Sequence, residues 1–206
     1  MTDAHAVTTL DALERLYDKP SERALLKQRD RLDAASRAFI AASPFLILAT
    51  SGNSGGDCTP RGDQPGFVEV ADDKTLLLPD RRGNNRIDSL RNIVENPAVA
   101  LLFLVPGADQ TLRLNGRAEI TVDPALIERF TFAGKPPKSV LRITIDEVFV
   151  QCPRALLRAG LWNPANFAAA DTVPSMGRLL EAATEGRIEA ARYDAEEAPR
   201  TRQVLY

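Results

Sequence analysis

The stretch Ala98–Ile120, AVALLFLVPGADQTLRLNGRAEI, decides the fold. Its first eight residues are an unbroken apolar run, the pattern of a strand buried on both faces. The turn-forming PGADQ, residues 106–110, interrupts it. From Thr111 the chain alternates: Leu112, Leu114, Ala118 and Ile120 fall on one face, and Arg113, Asn115, Arg117 and Glu119 on the other. A period of two is the mark of a half-buried strand. The connection between the two runs is too short for the helical crossover that parallel strands need.

Working outward, the same signals recur. FLILAT (45–50) is a short apolar run followed by the turn-rich SGNSGGD, and CTPRG (58–62) and FVEV (67–70) read as extended. KTLLL (74–78) follows the turn at Ala71-Asp72-Asp73. Downstream, a short helix over Asp123–Phe130 and the loop GKPPKS lead to a long strand, Leu141–Gln151. Its apolar positions are Leu141, Ile143 and Ile145, then Val148 and Val150, a slip of phase at Asp146-Glu147 that a β-bulge would produce. The expected class is α+β, mainly β: a six-stranded antiparallel barrel with capping helices. Leu10, Leu13, Leu16 and Tyr17, then Leu25, Leu32, Ala35, Phe39 and Ile40, follow helical spacing in two segments split at Lys19-Pro20. Residues 1–42 are thus expected as a helical extension, 43–162 as the barrel, and 163–206 as a helix and tail packed on it. Trp162 reads as packing or as a ring stacked on a bound group, and Cys152 as a buried inert thiol or one whose pKa a helix start lowers.

Composition narrows the function. A net charge of −2 over 206 residues gives no general attraction to nucleic acid or anionic membrane. The longest apolar run, Ala98–Val105, is far too short to span a bilayer. The N-terminal residues show no secretory pattern, and Cys58 and Cys152 form no metal or redox spacing, so a reduced, cytoplasmic protein is expected. The single histidine, His5, lies near a terminus, which argues against a Ser-His-Asp triad, a Cys-His pair or a histidine metal site. Chemistry is then expected to come from a bound cofactor.

Where such a group would sit is suggested by LLLPDRRGNNRIDSLRNIVENP, residues 76–97. It reads as a strand, a loop, and a helix from about Asn84 to Glu95. Arg81, Arg82 and Arg86 crowd the helix start, where the macrodipole disfavours cations. A bound phosphate would reverse that balance, using free N–H groups, the close approach that Gly83 permits, and charge-assisted bonds from the arginines. The local sequence equally allows a solvated loop in which Arg86 pairs with Asp80 or Asp88.

Four segments, SPFLILATSGNSGGDCTPRGDQPGFVEV, LLLPDRRGNNRIDSLRNIVENPAVALLFLVPG, TLRLNGRAEI and VFVQCPRALLRAGLWNP, resemble in order and spacing the FMN-binding split-barrel family related to pyridoxamine 5′-phosphate oxidase, in particular its branch of flavin-nucleotide-binding bacterial proteins. The resemblance implies a six-stranded split barrel that dimerises with FMN at the interface. It implies that the loop of Asp80, Arg81, Gly83, Asn84, Asn85 and Arg86 holds the flavin phosphate, with Arg86 as the basic ligand. Pro79 and Asp80 would lie beside the flavin. Thr59, Arg61 and Asp63 would lie on the strand that contacts it, Arg61 also favouring the anionic reduced ring. Gln110 and Thr111 would come from the partner subunit. The implied activity is an FMN-dependent oxidoreductase passing hydride or electrons to or from an unidentified small molecule. A non-catalytic flavin carrier or sensor, a deazaflavin-using reductase of the same fold, and an interaction domain for an acidic partner stay open as alternatives. The chain lacks the C-terminal arginine-histidine segment of pyridoxamine 5′-phosphate oxidase proper, which argues against pyridoxine phosphate as substrate.

Overall fold

A computed structural model describes residues 3, 5–169, 172–203 and 205; positions 1, 2, 4, 170, 171, 204 and 206 of the two expected terminal segments lie outside the described residues. Three helices, α1 (Leu10–Glu14), α2 (Glu22–Leu26) and α3 (Ala34–Ala42), precede strands β1 (Phe45–Gly52), β2 (Gly55–Gly62), β3 (Glu69–Val70) and β4 (Thr75–Pro79). Helix α4 (Asp88–Glu95) leads to β5 (Ala98–Leu104) and β6 (Thr111–Thr121), then α5 (Pro124–Arg129) and β7 (Val140–Gln151). Helices α6 (Arg154–Ala159), α7 (Met176–Ala183) and α8 (Ala190–Gln203) follow. The lead-in has three helices rather than two. Asp33 ends the second expected segment by capping α3, its carboxylate accepting from Ser36 N–H at 2.8 Å.

The class is α+β around one antiparallel sheet, as the periodicity predicts, but the strand count and closure differ from expectation. Seven strands pair in the order β2-β1-β5-β6-β7-β4-β3. The seventh is the two-residue β3, which the Ala71–Lys74 turn folds onto Leu76 and Leu77. The sheet does not close by hydrogen bonds, since β2 and β3 are its two margins. It nevertheless curls. Leu46 and Leu48 of β1 share one core with Leu76 and Leu78 of β4, although three strands separate them in the sheet. Phe103, Leu114 and Ile143 fill the centre, and Ile40 of α3 and Ile93 of α4 plug the sides. Burying inward-facing side chains of every long strand but β2 in one cluster is the main stabilising term of this fold.

The phase slip in β7 is a bulge. Asn115 faces Glu147 while the next residue, Gly116, faces Ile145, leaving Asp146 unmatched. A Cβ on Gly116 would collide with the Thr144 carbonyl oxygen across the bulge. Gly116→Ala is therefore expected to cost about 2–3 kcal/mol of stability through overpacking, read as a lower urea midpoint; an unchanged midpoint would show that the strands part freely. Trp162 packs as expected, its Nε1–H donating to Ala108 C=O at 2.8 Å. Cys152 is exposed, not buried, because it falls between the end of β7 and Pro153 at the start of α6. Among the described residues no helix is long and apolar enough to cross a membrane.

Candidate functional site

The open seam of the sheet carries the densest polar chemistry of the chain. β4 ends in the buried Pro79, and the next N–H, that of Asp80, donates to Ser139 C=O at 2.9 Å. This extends the β4–β7 pairing by one step and brings Lys138 alongside the arginine loop, where its ammonium donates to Asn85 Oδ1 at 3.0 Å. Two loop residues take left-handed backbone, Asn85 (φ 60°) and Ile87 (φ 54°). Asparagine tolerates that region. A β-branched isoleucine adopts it only against strain, of order 1–3 kcal/mol.

Those two residues explain why α4 starts at Asp88 and not near Asn84, since a right-handed helix cannot run through a left-handed residue. Arg86 consequently precedes the helix; it is not in its first turn. The first turn instead carries Asp88, which suits the dipole. Arg86 Nε donates to Asp88 Oδ2 at 2.7 Å, and this carboxylate raises the guanidinium pKa above its usual range. The N-cap, Ile87, offers no side-chain acceptor, so the opening N–H groups of α4 have no side-chain cap.

A cleft of about 730 Å³ opens here, within the size range of small-molecule and cofactor sites. Of the residues expected at the site, it is lined by Thr59, Arg61, Asp80, Arg81, Gly83, Asn84, Asn85 and Arg86, together with Arg82. Asp63, Pro79, Gln110 and Thr111 do not line it. Pro79 is turned into the sheet opposite Val140, and Thr111 is buried at the start of β6 opposite Gln151, with Gln110 just before it. Asp63 faces a second, smaller cleft of about 330 Å³.

Five cationic side chains (Arg61, Arg81, Arg82, Arg86, Lys138) and three acidic ones (Asp57, Asp80, Asp88) line the large cleft, and the charge of Arg81 is met by Asp63 just outside it. Arg61 Nη1 donates to Asp80 Oδ1 at 2.7 Å, both side chains being about one-fifth exposed or less (21% and 16%). Arg81 Nε donates to Asp63 Oδ2 at 2.8 Å, and its Nη1 to Phe130 C=O at 2.5 Å. These two pairs are reciprocal: Arg61 and Asp63 leave the β2 margin, Asp80 and Arg81 leave β4, and each side gives one cation and one anion. Side chains thus lace the seam that backbone hydrogen bonds leave open. Among the described residues, Arg82 and Lys138 pair with no carboxylate. Arg61 Nε is buried without a hydrogen-bond partner.

Asp57, Ser89 and Lys138 also line the cleft and were missed by sequence reasoning. Ser89 Oγ, on the buried first turn of α4, donates to Asp57 Oδ2 at 2.6 Å and lies 3.2 Å from Thr59 Oγ1. Asp57 was findable, because it shares a strand face with Thr59, which was expected at the site. Lys138 has a signal too, because it stands two residues before Val140, the partner of Pro79.

The family model for pyridoxamine 5′-phosphate oxidase matches residues 32–152, more than half of the chain. The chain belongs to the pyridoxamine 5′-phosphate oxidase family. The matched span covers the whole sheet and reaches the seam from both sides, in agreement with the resemblance read from the sequence. No curated protein matches the chain. Among solved structures, HupZ from Group A Streptococcus is 22% identical, with 58% of this chain and 93% of that chain covered and a TM-score of 0.48. An FMN-binding protein from Syntrophomonas wolfei subsp. wolfei is 16% identical over 56% of this chain and 83% of that one, with a TM-score of 0.45. General Stress Protein 26 from Bacillus anthracis str. Sterne is 18% identical over 55% and 88%, with a TM-score of 0.42.

Proposed function

We propose that the seam cleft binds FMN by its phosphate and that the chain is an FMN-dependent oxidoreductase acting on a small organic molecule as a homodimer. The two lining cations that pair with no carboxylate, Arg82 and Lys138, carry this reading, because a phosphate monoester near neutral pH brings the negative charge they lack. The donor set fits the group. Arg82 and Lys138 have charge to spare, Asn84 and Asn85 add amides, and the uncapped start of α4 adds N–H groups aimed as an anion requires. Arg61 lines the cleft with its side chain 21% exposed, so its guanidinium would donate to a carbonyl or ring nitrogen of a bound flavin. A flavin supplies two-electron redox chemistry, which suits a cleft with no histidine to move protons.

Each residue then has a distinct task. Arg82, Lys138 and Arg86 neutralise the phosphate. Asp57 accepts the hydrogen bond of the Ser89 hydroxyl and so holds it in one orientation. Arg61, fixed by Asp80, places a guanidinium against the ring and favours whichever redox state carries negative charge. Asp63 and Arg81 hold the seam and stand outside the binding set. The absorption spectrum of freshly purified protein tests the reading, flavin bands being expected and a colourless protein that takes up no added FMN contradicting it. Arg86→Ala is expected to weaken FMN binding about tenfold, less than a buried ligand would, because the guanidinium is 75% exposed and already shared with Asp88. Fluorescence titration measures it, and an unchanged affinity would remove Arg86 from the site.

A further inference from the structure

Residues 5–26 stand apart from the core. Helices α1 and α2 bury no residue, and Leu10, Leu13, Leu16, Tyr17, Leu25 and Leu26 are between 42% and 74% exposed. Each helix has five residues and a side-chain N-cap, Thr9 or Ser21. A helix of that length does not hold its shape in water; isolated helices need about 12–15 residues, and shorter ones are held by what their apolar face packs against. Capping by a hydroxyl, worth about 1 kcal/mol, does not make up the difference. The arm is therefore built to be covered.

Its root is firmly attached. Arg29 exchanges two backbone hydrogen bonds with Val148, at 2.9 and 2.8 Å, on a stretch of β7 beyond the reach of β4. Gln28 Nε2 donates to Glu147 Oε2 at 2.5 Å, Lys27 stands 5.3 Å over the Phe149 ring, and the chain dives into the core at Leu32. Everything before Lys27 is thus projected from a fixed point at one side of the sheet.

The size of the bare face points to a folded partner. Six large side chains exposing roughly 100 Å² each present about 600 Å² of apolar surface, at the upper end of what a monomer leaves uncovered. A standard interface takes about 800 Å² from each partner, so two such arms, exchanged across a two-fold axis, supply most of one. We propose that the arm, residues 5–26, packs on a second copy of this chain and that this exchange holds the homodimer together. The inference rests on the dimer in the functional reading above and is independent of which cofactor binds.

The test uses the full chain with Leu10→Asp, Leu13→Asp and Tyr17→Asp combined. All three side chains are exposed and belong to neither core cluster, so far-UV circular dichroism and the urea midpoint of the sheet should be unchanged. Sedimentation equilibrium is expected to show a wild-type dimer and a variant whose dimer dissociates at least a hundredfold more readily. A variant as dimeric as the wild type overturns the arm's role while leaving the dimer standing; a wild-type monomer overturns both. A second readout needs no mutation. Cross-linking of mixed ¹⁵N-labelled and unlabelled chains through Lys19 is expected to join heavy to light chains. Links confined within one chain overturn the proposal.

Discussion

Arg61→Ala is expected to lower FMN affinity about a hundredfold, the largest functional loss of any single change at the site. Two effects combine. The variant deletes a guanidinium that lines the cleft, and a charge-assisted hydrogen bond is worth roughly 1.5–3 kcal/mol. It also strips Asp80 of its cation, leaving a carboxylate only 16% exposed at the mouth of an anion site, where its charge repels phosphate. The second effect is separable. Arg61→Ala combined with Asp80→Asn removes the orphaned charge and is expected to restore the melting temperature without restoring flavin. Titration calorimetry and thermal denaturation of the single and double variants measure both quantities. Flavin retained at wild-type strength in either variant would assign Arg61 to the seam alone.

Arg81→Ala is expected to destabilise the fold by about 3–5 kcal/mol, the usual cost of removing one partner of a buried ion pair. The Asp63 side chain is 3% exposed, and Arg81 brings it a guanidinium while also serving the Phe130 carbonyl and standing 5.9 Å from the centre of the Phe132 ring. One substitution therefore takes charge, a hydrogen bond and packing from the two lips of the seam at once. Because β2 and β4 share no backbone hydrogen bonds, the Arg61–Asp80 pair is left to lace the seam in its place. Urea denaturation measures the loss. A change below 1 kcal/mol would mean that the core shared by β1 and β4 closes the sheet unaided.

These two arginines show how far sequence reasoning reached. The alternation of Leu112, Leu114 and Ala118, and the slip at Asp146, were legible because side-chain period reports directly on which face a strand buries. The loop 80–87 was legible as a charge anomaly. Its division of labour was not, since Arg81 and Arg82 are identical in sequence terms and only the curl of the sheet brings Asp63 to one of them. Nor could periodicity locate the helix start. Asp88-Ser89-Leu90 continues a plausible pattern from Asn84, and what stops it is the left-handed backbone of Ile87, which isoleucine's own preferences oppose. Lys138 lies 53 residues from Asn85 and joins it only through the register of β4 on β7. Gln110 and Thr111 do not line the cleft within one chain, so the proposed flavin contact would need a partner subunit to bring them to it.

The central claim is that the cleft at the seam recognises a phosphate, and FMN and riboflavin differ by that group alone. Titrating flavin-free protein with each, followed by quenching of flavin fluorescence, isolates its contribution. FMN is expected to bind at least a hundredfold more tightly, with the preference shrinking as salt is raised because Arg82, Arg86 and Lys138 are solvent-accessible. Equal affinities for the two flavins, at low salt and with the fold intact, would contradict it.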